Sequence, residues 1–352
     1  MANFEKAIRT LEFDRVLEQL AAAAQTDGAK EKAMRIMPQT SLVRIRKLQA
    51  QTSDARKLMG VKGTPPFGGV TDITGHVDRA EKGASLSPAE LLRVANVLRV
   101  ARMLDDYINT DKRFETSLDE VFDRLTSNRY LEDRITKSIL AEDLIADEAS
   151  PELAEIRRKI RNANSKIKEN LQKYTSGQTF SKYLQENIVT QRNGRYVVPV
   201  KAEYRNEVKG LIHDSSASGA TLFIEPLSVV EANNELRFLE NQEKKEIERI
   251  LSVLSGMVAD CASALSLDYH NITELAFIFA KAELSYRMNA SEPQLNEDGV
   301  VDLKRARAIP CLIPKRSCRL ISVWAAISIR LSSPVPIPAV IRFRSRPSVC
   351  LR

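Results

Sequence analysis

From Pro151 onward, seam residues recur at alternating spacings of three and four. They are Leu153, Ile156, Ile160, Ala163, Ile167, Asn170 and Tyr174, with Lys, Arg, Asn and Glu dominating the positions between them. A second run of this kind holds Ile247, Ile250, Leu254, Met257, Cys261 and Ala264, and the polar helical stretch 231–246 leads into it. At 1.5 Å of rise per residue, each run makes a helix of roughly 35–50 Å, too long to stay buried in a compact domain of this size. The two runs are expected to be arms lying antiparallel to each other.

Between the arms the helical period disappears. Residues 187–226 read NIVTQRNGRYVVPVKAEYRNEVKGLIHDSSASGATLFIEP. Asn193-Gly194 is a strong hairpin signal, because a two-residue turn of the favoured hand needs positive φ at both positions. Ile188-Val189 and Tyr196-Val197-Val198 flank it as strands, with further short strands expected at 208–212 and 221–224 and a turn at 215–219. The expectation is a small antiparallel sheet at the far end of two arms, a shape suited to clamping a large partner.

Before the arms the chain reads as almost entirely helical. An Ala/Leu-rich run covers 14–25. Thr26 or Asp27 caps a second helix, and Ser41 caps a third that is expected to stop at Gly60. The stretch 63–69, GTPPFGG, must be a loop. Ser87-Pro88-Ala-Glu90 is a capping box opening a helix in which Leu91, Val94, Leu98, Ala101 and Leu104 share one face.

These features together resemble the N-terminal half of the second bacterial MutS paralogue. The resemblance rests on the KGTPPFGG loop, on the stretch YVVPVKAEYRNEVKGLIHDSSASGATLFIEP between two lever helices, and on PQLNEDGVVDLKRAR. It covers residues 1–307. It implies a mainly α fold: a helical core over 1–145, then long antiparallel lever helices over 146–290 carrying a small antiparallel β clamp insertion at about 187–226. A lead-in to an ATPase domain follows at 291–307. It further implies binding to branched DNA or to ribosomes, with a homodimer as a possible state. In that family a P-loop ATPase domain using ATP and Mg, and usually a nuclease domain, follow this region.

The last segment, 308–352, departs from the family. It holds eight basic residues and no acidic one, three of the four Cys, Trp324, six Pro and no Gly. Without it, the remaining 45 Lys and Arg face 46 Asp and Glu, so the net charge of +7 belongs to the tail. Read one frame over, the codons of 308–324 can encode HPLLDPKKVVPIDIRL, and those of 333–351 TGPNTGGxTVSLKTVGL, both family motifs. The tail is therefore expected to be frame-shifted and disordered, although Ile341 excludes Lys at the slot of the P-loop lysine. A Gly-free tail cannot cradle phosphates, so neither ATP nor another cofactor is expected in this chain.

No apolar run approaches the ~18 residues of a membrane span, and the N-terminus has no signal core, so a cytoplasmic protein without membrane contact is expected. Cys311, Cys318 and Cys350 have no zinc spacing with His76, His213 or His270. His213-Asp214-Ser215-Ser216 holds triad residue types, but sequence neighbours seldom converge as nucleophile and base, and a polar turn is expected there. No catalytic residue is assigned. Arg192, Arg195, Lys201, Arg205 and Lys209 lie on or beside the expected sheet among Glu203 and Glu207. They are either phosphate contacts or solvated strand-face charges. The alternative to nucleic-acid or ribosome binding is a non-catalytic coiled-coil module for oligomerisation or protein interaction.

Overall fold

A computed structural model describes residues 13–110 and 114–297. The tail expected to be disordered and most of the lead-in before it lie outside the described residues. In chain order the helices are α1 Phe13–Ala23, α2 Asp27–Met34, α3 Leu42–Lys62, α4 Thr74–Glu81, α5 Pro88–Asn109, α6 Asp119–Phe122, α7 Arg129–Ser138, α8 Pro151–Thr175, α9 Gln178–Ser181, α10 Leu227–Asp260 and α11 Ala262–Arg287. The strands are β1 Ile139–Ala141, β2 Leu144–Ile145, β3 Thr190–Arg192, β4 Arg195–Lys201, β5 Gly210–Ser215 and β6 Thr221–Pro226. The fold is mainly helical, with one small four-stranded antiparallel sheet in the order β3-β4-β6-β5.

Two compact units form. One gathers the described residues of Met1–Asp78, Arg93–Glu132 and Cys261–Arg352. Its core is built on α11, where Leu265, Ile272, Leu275 and Ile278 are buried and the Phe279 ring meets Phe67 at 5.7 Å, Tyr107 at 6.3 Å and Phe122 at 6.5 Å. Phe67 comes from the GTPPFGG loop, whose Gly63 and Gly69 both sit at φ 78. Thr26 rather than Asp27 caps α2, accepting from the Ala29 N–H. Ser41 caps α3 as expected, but that helix runs past Gly60 to Lys62. Gly63 ends it, because the positive φ there lets the chain turn away.

The other unit gathers Arg79–Leu92 and Asp133–Asp260. The Ser87 capping box is present: Glu90 Oε2 accepts from the Ser87 N–H at 2.9 Å, and Ser87 Oγ accepts from the Glu90 N–H at 3.4 Å. β1 and β2 form a hairpin in a stretch expected to be almost entirely helical, since strands of two or three residues leave no readable period. Ser150 caps α8 by accepting from the Leu153 N–H at 3.0 Å and donates to Glu246 on α10 at 2.6 Å. Arg157 donates to Glu243 at 2.6 Å, and Tyr174 lies 3.3 Å from Ser228. The start of one arm thus meets the later part of the other, so the arms are antiparallel.

The seam of α8 buries Leu153, Ile156, Ala163, Ile167 and Leu171. Leu171 takes the buried place in the last turns, while Asn170 stays half-buried and accepts from Lys173. The second expected run crosses a break: Cys261, at φ −110, stands between α10 and α11. Helical spacing continues through a break that lies between two helices each satisfying the same period, so it left no mark in the sequence. At their sheet-bearing end the arms share one core with the sheet, including Ile167, Leu171, Leu184, Val198, Val200, Ile224, Leu236 and Leu239.

Candidate nucleic-acid interface

Asn193 at φ 51 and Gly194 at φ 71 make the tight turn that joins β3 to β4, pairing Arg192 with Arg195 across the strands. Arg237 on α10 donates to the Asn193 carbonyl at 2.9 Å, tying the turn to the arm. β5 is an edge strand with a bulge between Ile212 and Asp214. Gly210 begins it because a Cβ there would run into the Glu225 carbonyl and Ile224 of β6.

The five cations singled out from the sequence divide sharply. The Arg195 guanidinium donates to both carboxylate oxygens of Glu225, at 2.8 and 3.0 Å, and to Asn234 at 2.6 Å. Glu225 is wholly buried; it also accepts from Asn233 at 2.7 Å and contacts the His213 ring. Asn233 in turn bonds the backbone of Tyr196 through both its oxygen and its nitrogen. This network joins β4, β5 and β6 to the first turns of α10. It engages Arg195 fully, because a buried carboxylate needs a paired and hydrogen-bonded cation.

Arg192 lies over the Phe223 ring at 4.2 Å, with its Nε 3.5 Å from Asp214. Lys201 donates to the Lys182 carbonyl at 3.4 Å. Arg205 and Lys209 are exposed, and no carboxylate comes within ion-pair distance of either among the described residues. His213, Asp214 and Ser215 end strand β5 instead of forming the expected polar turn, which follows only at 216–219; Asp214 accepts from the Ser215 N–H at 2.8 Å and Ser216 from the Thr221 N–H at 3.1 Å. The His213 ring contacts Glu225.

The outer face of α8 adds further cations to those of the sheet. That helix carries seven Lys and Arg against three Glu, whereas α10 carries four against seven acidic residues. Arg158, Lys166 and Lys168 stand exposed and without an ion-pair partner among the described residues. Closer to the base, Arg157 is committed to Asp147 at 2.7 Å as well as to Glu243, and it holds the Asp147 carboxyl below the usual range. The readable signal was the cation-rich filling between the heptad positions. Nothing local flagged Glu225, apart from its being a charge in an otherwise apolar strand.

No protein-family model matches the chain. Curated proteins do. The chain is 45% identical over 324 residues to the Endonuclease MutS2 of Acetivibrio thermocellus, covering 91% of this chain and 40% of that protein. The chain is homologous to MutS2. The MutS2 of Ruminiclostridium cellulolyticum is 42% identical over 313 residues, and that of Pelotomaculum thermopropionicum 44% over 303. In each case the chain spans about 40% of the length of the MutS2 relative it matches. Among the described residues no single helix is long and apolar enough to cross a membrane, and no cluster of His, Cys, Asp and Glu could hold a metal ion.

Proposed function

We propose that the sheet and the outer face of α8 together form a nucleic-acid clamp that binds the phosphate backbone of branched DNA or of ribosomal RNA. The observation that carries this reading is the charge partition of the unit. Glu225 is buried and α10 is acidic, while Arg205, Lys209, Arg158, Lys166 and Lys168 are exposed and form no ion pair among the described residues, although exposed Glu203 and Glu207 stand beside Arg205 and Lys209 in sequence. Backbone contacts of this kind position a duplex without reading its sequence. Arg195 serves the clamp by holding its shape. The MutS2 relatives are named endonucleases, and whatever cleavage they perform is not assigned to the residues described here.

The test is binding of the full chain to a forked DNA duplex and to a structured ribosomal RNA fragment, followed by fluorescence anisotropy. Five phosphate contacts would give an affinity falling with salt at a log–log slope of about −4 to −5. Binding that is absent, or indifferent to salt, would contradict the proposal. The two ligands separate a DNA target from a ribosomal one.

A self-association reading is favoured by one observation: Phe238 on α10 is 62% exposed and Val253 46%. Large apolar side chains on the outside of an arm suit a protein partner or a second copy. Sedimentation across a concentration series, at salt high enough to suppress phosphate binding, distinguishes this reading.

A further inference from the structure

Beside the free cations runs a row of aromatic rings that the clamp reading does not use. Tyr174 and Phe180 lie 4.8 Å apart between centroids, Phe180 and Tyr183 6.3 Å, and Tyr183 and Tyr204 5.2 Å. All four are half-buried, with one side resting on the core of the arms and sheet. Their planes are mutually tilted, by 50°, 72° and 48°, so the row presents separate faces and not one flat surface.

The backbone beneath this row is fixed. Leu184 is buried and bridges to Val200 on β4, the Gln185 N–H donates to the Pro199 carbonyl at 2.8 Å, and the Lys201 N–H donates to the Tyr183 carbonyl at 3.0 Å. Leu184 is buried in that core, and its neighbour Tyr183 packs against the core's edge and stays half-buried. Neither the Tyr183 nor the Tyr204 hydroxyl makes a hydrogen bond among the described residues, and both residues are half-buried. A core rim alone would be served as well by Leu or Ile, without the phenol to hydrate.

Cations sit at the margins of the row. Lys182 Nζ stands 4.8 Å over the Tyr183 ring, Lys201 Nζ reaches the Lys182 carbonyl, and exposed Arg205 directly follows Tyr204. Half-exposed rings on a fixed backbone with cations at their margins suit an unpaired strand, whose bases stack on rings while its phosphates meet the charges. A duplex offers the same phosphates but keeps all except its terminal bases stacked inside the helix.

We infer that Tyr183 and Tyr204, supported by Phe180, form a stacking site for the unpaired nucleobases of a single strand, so that the clamp favours nucleic acid with an exposed strand over a plain duplex. This rests on the nucleic-acid reading above and adds the structural class of the ligand. The test uses the full chain with a blunt duplex, the same duplex carrying an oligothymidine overhang, and one carrying an oligouridine overhang. The wild-type protein should bind an overhang about 5- to 100-fold more tightly than the blunt duplex. Tyr183→Leu with Tyr204→Leu should abolish that preference and leave blunt-duplex affinity in place, while Tyr183→Phe with Tyr204→Phe should keep it. The two overhangs tell DNA from RNA. Should the Leu pair fail to fold, the wild-type protein still decides the matter, because 2-aminopurine placed in the overhang should be quenched on stacking. Equal binding of blunt and overhung duplexes, a preference that survives the Leu pair, or unquenched 2-aminopurine would overturn the inference. Binding to none of the three ligands would overturn the nucleic-acid reading itself.

Discussion

Arg195 on β4 donates to both oxygens of Glu225 on β6, and the Glu225 side chain is shut off from solvent. A basic residue of the sheet is thus committed to holding the sheet together. Removing one partner leaves a buried charge alone, which typically costs about 3–5 kcal/mol. Arg195→Ala and Glu225→Ala should each destabilise the chain by about that much in chemical denaturation. Arg195→Met combined with Glu225→Leu should cost clearly less than the sum of the two, and additive losses would show that the pair is not coupled.

Gly210 provides a second structural check. A methyl group at this position meets the Glu225 backbone carbonyl and the Ile224 side chain, and backbone cannot yield as a flexible side chain can. Gly210→Ala should lower stability by about 2 kcal/mol or more. Gly219→Ala, at φ 70 but with open space around its Cβ, should cost less, near the 1 kcal/mol scale of left-handed strain. Comparable losses at the two positions would argue against β5 lying so close to β6.

Lys281 on α11 has its ammonium pushed down to about 8 by burial, with the nearby Lys32 charge acting in the same direction. The sign follows from proton counting. Between pH 8 and the ordinary lysine value of 10.5, the unfolded chain holds the proton and the folded one releases it, so stability should rise with pH across that window. The gain should be on the order of 1–3 kcal/mol, allowing for partial exposure. Lys281→Met should reduce the rise, leaving the smaller part that Lys32 contributes in the same direction, as read from denaturation midpoints at successive pH values.

Glu246 behaves in the opposite sense. Arg249 holds its carboxyl below the usual value of 4.5, burial opposes this, and the Ser150 hydroxyl adds to the lowering. Its contribution is complete above pH 4.5 and is lost as the pH falls through the folded-state value. Glu246→Gln should therefore make the arms less stable near neutrality and flatten the acid limb of the stability profile. An unchanged acid limb would mean that Glu246 does not couple the arms.

What the sequence revealed about this fold was local. The Ser87 box and the Asn193-Gly194 turn are written within four residues each, and both are present as expected; the Ser150 cap before Pro151 is just as local but was not singled out. The seam of α8 was also legible, except that Leu171 and not Asn170 fills it near the end. The break at Cys261 and the Ile139–Ala141 hairpin were not, because periodicity is blind to a break between two regular helices and to strands of two or three residues. The Arg195–Glu225–Asn233 network joins residues up to 38 positions apart, and no spacing rule connects them. For the same reason the sequence could place five cations near a sheet but could not say which were already occupied.

The claim at the centre of this account is that the clamp holds nucleic acid through its unpaired cations. The most direct measurement compares the wild-type full chain with Arg205→Glu plus Lys209→Glu, reading affinity for a forked duplex by anisotropy and stability by thermal melting. Both side chains are exposed and unpaired, so the melting temperature should stay within about 2 °C of wild type. Affinity should fall by at least about tenfold, and the salt slope should shrink by about 2. Undiminished affinity with an unchanged salt slope, in a variant that melts like the wild type, would contradict the account.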